Sequence, residues 1–385
     1  MLVDKIQENC QQVKQEDLIK LYDSLFPRER PVGIIVDGDG RSYYGSMIGT
    51  HKLAYLPDVR IFGAHDPYLP GKNVAEAFEN LGETCKTFVY LIVSYSGDST
   101  IPLGNLKLVE EYAKEKIIDV NLITSPYESP MRSIVKECEG NILELKGRES
   151  KKTTGERYLK EGLLEDLFEL GATKILSIIS MGISDRKSSE IFYGFYKGNL
   201  DELKTLRDEN QELQKMPNYK VFLEELSNPY KSFFSCGQGP SDHVVKINNI
   251  RVGHVRPLTL QKIGLEPSRT VNIGANNNYV IGESNCPDMN ENSIFLGVSE
   301  SGESPKVKNY LMKSKEVGAQ NFVITKKGVY EAPTFKLITE DFYPDGCILL
   351  SQTLTDLGVL LVKQGVKISD KTLRKLHISD KGEVL

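Results

Sequence analysis

The chain has 385 residues, which suggests two domains, with 39% hydrophobic and 26% charged residues and an ordinary content of 32 Gly and 17 Pro. A formal net charge of −5 without basic runs argues against nucleic acid as a partner. No apolar run reads as long enough to span a bilayer and residues 1–7 do not read as a signal peptide, so a cytoplasmic protein with no membrane partner is expected.

Taken in chain order, the pattern predicts a helix over Gln15–Leu25 that stops before Pro27. Gly33–Asp37, Tyr90–Ser94 and Val120–Thr124 are short β-branched apolar runs, as expected for central strands of a parallel sheet buried on both faces. Leu103–Lys116 carries Leu106, Val109, Tyr112 and Ala113 at helical spacing. Thr154–Leu170, Lys174–Ser180 and Asp201–Leu226 are helical in pattern and read as a linker. Val307–Val317 and Asn321–Thr325 then repeat the helix and strand of the first half.

The repetition extends to motifs. VDGDGRSYYG, VSYSGDST and ITSPYESP are followed, in the same order and at similar spacing, by SCGQGPSD, VSESGESP and ITKKGVYEAP. A duplicated α/β domain is expected, each copy a three-layer α/β/α sandwich with a mostly parallel sheet. The expected boundaries are an N-terminal helix over 1–29, a first domain over 30–195, a helical linker over 196–230 and a second domain with a C-terminal tail over 231–385. The six cysteines show no C-x-x-C pair and no His at ligand spacing, so reduced thiols rather than a metal site are expected.

Ser94-Tyr95-Ser96-Gly97-Asp98-Ser99-Thr100 falls between a strand end and a helix start. An anion there would meet unpaired backbone N–H groups, the positive end of the helix dipole and several hydroxyls. The loop lacks the Lys of a nucleoside-triphosphate loop, so a single phosphate on a small polar molecule suits it better. Ser299, Ser301 and Ser304 repeat the design as a second candidate loop.

At these residues the chain resembles the sugar isomerase (SIS) domain family in its double-domain form, and is similar to the isomerase half of glucosamine-6-phosphate synthase. SYSGDST and SESGESP resemble the family's S-x-S-G-E-T phosphate loop, and DGDGRSYYG resembles its C-G-T-S turn. The resemblance implies phosphate contacts at Ser42, Ser94, Tyr95, Ser96 and Ser99. It implies catalytic candidates at Glu149, His254, Lys375 and His377, with Arg251 in support. A His can act as a base near neutral pH. The implied reaction is aldose–ketose isomerisation of a hexose or amino-hexose 6-phosphate through an enediol, with no cofactor or metal and with a homodimer as the assembly. Deamination of glucosamine 6-phosphate and non-catalytic sensing of a phosphosugar are the alternatives.

Overall fold

A computed structural model describes the chain apart from residues 28, 148–155, 229, 256–277, 329, 366, 367, 369 and 380; the side chains of residues 156–161, 251, 253–255 and 370–372 are also outside the description. The chain forms two compact units. The first comprises Lys5–Lys152 and Leu164–Asp201, and the second comprises Met1–Asp4, Thr153–Leu163 and Glu202–Leu385.

In chain order the elements begin α1 (Leu2–Gln11), α2 (Gln15–Leu25), β1 (Val32–Gly38), α3 (Arg41–Thr50), β2 (Val59–Gly63), α4 (Val74–Leu81), β3 (Thr87–Ser94) and α5 (Thr100–Lys114). They continue with β4 (Asp119–Thr124), α6 (Pro130–Glu137), β5 (Asn141–Glu144), α7 (Glu156–Ser184) and α8 (Ser189–Asp201). Then come α9 (Leu203–Lys215), α10 (Pro217–Leu226), β6 (Ser232–Cys236), α11 (Pro240–Val255), β7 (Asn278–Val280) and β8 (Ser293–Ser299). The last are α12 (Pro305–Glu316), β9 (Gln320–Thr325), β10 (Thr334–Lys336), α13 (Phe342–Lys363) and α14 (Asp370–Leu376).

The first unit's sheet is wholly parallel with order β2-β1-β3-β4-β5. The register sets Val36 beside Leu91 and Gly38 beside Val93, which brings the C-terminal ends of β1 and β3 side by side. Every residue of β1 is buried, as continuous apolar runs in parallel sheets require. On one face Ile35, Tyr90, Ile92, Val120 and Leu122 pack under α4, α5 and α6 through Phe78, Leu81, Leu106, Val109, Met131 and Val135. Each large side chain so buried contributes about 1.5–3 kcal/mol before entropy is charged against it. The other face carries α2, whose Ser24 Oγ accepts a 2.8 Å bond from Asn121 of β4, and α3. Gly49 of α3 lies against Leu176 and the Thr173 carbonyl of α7, a backbone approach that a Cβ would obstruct. Ser180 of α7 donates to the Gly49 carbonyl at 2.8 Å.

The second unit's sheet is also parallel, with order β7-β6-β8-β9-β10. Chain order maps onto the first sheet strand for strand. Phe234, Cys236, Phe295 and Val323 pack with Val307 and Leu311 of α12 on one face. Phe233 and Leu296 gather with Phe222, Leu350 and Leu354 of α10 and α13. The expected α/β architecture with parallel sheets and flanking helices is therefore what the chain adopts. The short strands β2, β7 and β10 were not anticipated.

The expectation that no segment is long and apolar enough for a bilayer is corrected. Gly162–Ser184 and Phe342–Lys363 both qualify by length and hydropathy, but 83% and 78% of their apolar windows are buried inside the protein. They are core helices, and their hydrophobicity reflects packing on all sides.

Candidate functional site

Two helices leave the adjacent ends of β1 and β3 toward opposite faces of the first sheet. α3 follows β1 on one face and α5 follows β3 on the other. In open parallel sheets the crevice at such a strand-order reversal is where ligands bind.

The loop from β3 to α5 is organised around its own hydroxyls. Ser94, 2% exposed, accepts the Gly97 N–H at 3.0 Å through Oγ, and that Oγ lies 3.4 Å from Ser99 Oγ. Ser96 Oγ accepts the Asp98 N–H at 3.3 Å. Gly97 has φ +65° and gives its carbonyl to the Met131 N–H at 3.1 Å. A Cβ at Gly97 would overlap the Ser129 hydroxyl, so the position requires glycine on both counts. Ser99 occupies the N-cap of α5 but makes no side-chain cap bond, and the first turn carries no acidic residue. The orphan donors of that turn and the dipole's positive end therefore face outward beside three serine hydroxyls. Tyr95 lies in the same loop. Its ring stands edge-on to Phe168, 5.6 Å away, and its carbonyl accepts the Ser125 hydroxyl at 2.5 Å.

The α3 side of the crevice is different in charge. Arg41, buried in the first turn of α3, pairs through its guanidinium with Glu165 at 3.0 Å, Asp166 at 2.5 Å and Glu169 at 2.8 Å, all from α7. Burial opposes its charge, but the three carboxylates outweigh that and hold the guanidinium protonated. Ser42 donates to Glu169 Oε1 at 3.3 Å. Its hydroxyl proton is thus committed to a carboxylate.

A further group lies at the same edge. Asp37, wholly buried at the end of β1, accepts the Tyr90 hydroxyl at 2.5 Å, Asn105 Nδ2 at 2.9 Å and the Gly38 N–H at 2.7 Å. His65, in the segment after β2, brings Nε2 to 3.4 Å from Asp37 Oδ1 and 3.1 Å from the Gly38 carbonyl. The Asp37 carboxylate raises the His65 pKa above its ordinary value against the opposing effect of partial burial. The Tyr43 ring meets the imidazole edge-on at 4.8 Å. No motif marked His65. Its only sequence signal is its place just past a strand that pairs with the one ending in Asp37.

In the second unit Ser299 is buried at the end of β8, and Ser301 Oγ accepts the Glu303 N–H at 3.1 Å. Gly302 repeats the left-handed conformation with φ +74°. Ser304, unlike Ser99, is engaged: it accepts the Val307 N–H at 3.4 Å and donates to Gln238 Oε1 at 2.9 Å. An open cavity of about 450 Å³ in this unit, lined by Phe234, Glu283, Cys286, Tyr310 and Lys313, does not include the serine loop.

Glu149 lies outside the described residues, as do the side chains of Arg251 and His254 on α11. Lys375 is partly buried on α14. His377 is 1% exposed, with Nε2 3.2 Å from the Gly162 carbonyl and Nδ1 3.4 Å from Thr355 Oγ1. Both its nitrogens have protein partners within the second unit, so it is a packed core histidine there.

No family model matches the chain, and no curated protein matches it. Solved structures do. The C-terminal domain of glucosamine-fructose-6-phosphate aminotransferase from Francisella tularensis is similar with a TM-score of 0.52 at 12% identity, over 90% of each chain. Tagatose-6-phosphate ketose/aldose isomerase from Escherichia coli is similar with a TM-score of 0.52 at 11% identity, over 92% of each chain. The chain has the fold of these proteins. At such identity the likeness carries architecture and leaves chemistry to the residues.

Proposed function

We propose that the first unit holds the phosphate of a small phosphorylated sugar at the turn between β3 and α5, and that the protein is a sugar-phosphate aldose–ketose isomerase. The observation that carries this reading is the uncapped first turn of α5, faced by the hydroxyls of Ser94, Ser96 and Ser99 around the left-handed Gly97. Such a turn offers neutral donors and a helix dipole to a phosphate without a counter-cation, which suits a monophosphate. The fold is shared with an E. coli tagatose-6-phosphate ketose/aldose isomerase, which supports the choice of reaction class.

In that reaction a proton moves between two adjacent carbons through an enediol. The carbonyl itself acidifies the neighbouring C–H, so no cofactor enters the proposal. We assign phosphate binding to the loop 94–99 rather than to 299–304, because Ser304 already caps its own helix. Ser42, tied to Glu169, is assigned to the acidic wall and not to the phosphate. The matching strand orders support two copies of one domain, and we extend the proposal to a cytoplasmic homodimer.

The test is proton NMR of the protein with fructose 6-phosphate, glucose 6-phosphate and glucosamine 6-phosphate in deuterated water. Deuterium entering the carbon beside the carbonyl, with a new sugar appearing, is the expected result. Release of ammonia would make the enzyme a deaminase. Ligand signals that transfer saturation without any exchange would make it a phosphosugar sensor.

A further inference from the structure

We propose that His65, held by Asp37, is an acid–base residue of the first unit, carrying a proton between two neighbouring oxygens of a sugar whose phosphate sits on the loop 94–99. This inference rests on the phosphosugar reading above. Three geometric facts carry it.

The first is tautomeric. Nε2 faces the Gly38 carbonyl at 3.1 Å, an acceptor that can only be met by an N–H. Nε2 therefore keeps its proton in both states of the ring, and Nδ1 is the nitrogen that titrates. Among the described residues Nδ1 has no hydrogen-bond partner, and the ring is 34% exposed.

The second is the support beneath the ring. Asp37 is fully buried and fixed by Tyr90 of β3, Asn105 of α5 and the Gly38 N–H, so its carboxyl group is held in place. A buried carboxylate against one nitrogen of an imidazole stabilises the imidazolium when the other nitrogen takes a proton. The charged and titratable groups facing His65 are Asp37 and Asp39 from β1 and its turn, with the Tyr43 ring of α3 against its edge. Burial pushes the Tyr43 hydroxyl up to about 12, so it stays neutral around pH 7.

The third is the distance. His65 follows β2, Asp37 ends β1 and the serine loop follows β3, and these three strands are neighbours in that order. The backbones of β2 and β3 stand two strand spacings, about 10 Å, apart, and the His65 ring leans from the β2 side to Asp37 on β1, between the two. Asn105 also ties Asp37 to the helix whose first turn forms the loop.

The step is a proton relay that balances by itself. Once the carbon-bound proton has left, the enediolate bears one hydroxyl and one anionic oxygen on adjacent carbons. Nδ1 takes the hydroxyl proton, breaking that O–H bond, and the resulting imidazolium gives a proton from Nδ1 to the other oxygen. The ring ends as it began. His65 is catalytic in this scheme, and Asp37 is a positioning residue.

Wild type, His65→Asn and Asp37→Asn are compared for binding and conversion of fructose 6-phosphate, glucose 6-phosphate and glucosamine 6-phosphate. The expected result is that His65→Asn binds within about threefold of wild type while kcat falls about 10²–10⁴-fold. Wild-type kcat should rise with pH through the His65 pKa, and in Asp37→Asn that limb should move to lower pH, a shift that a merely structural aspartate would not cause. Unchanged kcat in His65→Asn overturns the inference and leaves the loop assignment standing. A wild type that binds without converting any of the three overturns the acid–base role alone, and a wild type that binds none overturns the loop assignment as well. Should His65→Asn not fold, the His65 ring is followed by NMR in wild type with fructose 6-phosphate: an Nδ1 resonance and pKa unmoved by the ligand overturn the inference.

Discussion

Ser94 and Ser99 face each other across the β3–α5 turn with their hydroxyl oxygens 3.4 Å apart, and neither hydroxyl caps the helix that begins there. The equivalent Ser304 does cap its helix. Ser99→Ala should therefore leave unfolding free energy within about 0.5 kcal/mol of wild type and weaken phosphosugar binding. Ser304→Ala should cost about 1 kcal/mol of stability and leave that binding unchanged. Urea unfolding with NMR titration of fructose 6-phosphate measures both.

Gly97→Ala combines a left-handed backbone with an overlap on Ser129. The conformation alone costs roughly 1–2 kcal/mol, and the overlap must displace the neighbouring N-cap of α6. Loss of at least that stability, together with loss of sugar-phosphate binding, is expected. Native-like affinity in the variant would show that the turn can be rebuilt and does not set the phosphate site.

Arg41 is the counter-charge for Glu165, Asp166 and Glu169. Arg41→Met would leave three carboxylates facing one another in a site that is mostly dry, with a loss of about 3–5 kcal/mol. Adding Asp166→Asn and Glu169→Gln should recover part of it. Chemical denaturation of the single and triple variants checks the sign of that coupling.

The Asp37 carboxylate raises the His65 pKa above its unfolded value near 6.5. The stabilisation is then fully present below about pH 6.5 and is lost as pH rises through the folded-state value. The stability gap between wild type and His65→Asn should therefore narrow as pH rises from about 6.5 through the raised folded-state value. A gap independent of pH would mean that His65 contributes packing only.

Burial raises the thiol pKa of Cys10 and Cys236 to about 12, and raises that of Cys347 further. Cys286 is partly exposed, whereas the other five cysteines are buried. Under native conditions a thiol reagent should label Cys286 first, with the remainder reacting only on unfolding. Mass spectrometry of a timed alkylation reads the order directly.

The central strands were legible because burial on both faces leaves no polar alternation to blur them, as in IIVDG and YLIVS. The edge strand VRIFG was not, since Arg60 is exposed and Ile61 and Phe62 are only half-buried. The hydroxyl loop was legible as a motif because its contacts are local in sequence. The Asp37–His65 pair was not, because it joins residues brought together only by strand pairing. Arg41 could have been anticipated in part: Glu165, Asp166 and Glu169 gather within about one helical turn of α7, a spacing that asks for a nearby cation. What a single sequence lacked was any sign of which cation.

The close seating of Gly49 on α7, with Arg41 anchored one helix length away on the same partner, joins α3 and α7 by backbone contact at one end and by charge at the other. One wall of the crevice is therefore fixed in place before any ligand arrives. The opposite wall is the outward-facing first turn of α5, where accommodation of sugars of different shape would be concentrated. Amide exchange in the presence and absence of ligand should then change at residues 97–103 and stay level along α3. The crevice would work like a vice with a single moving jaw.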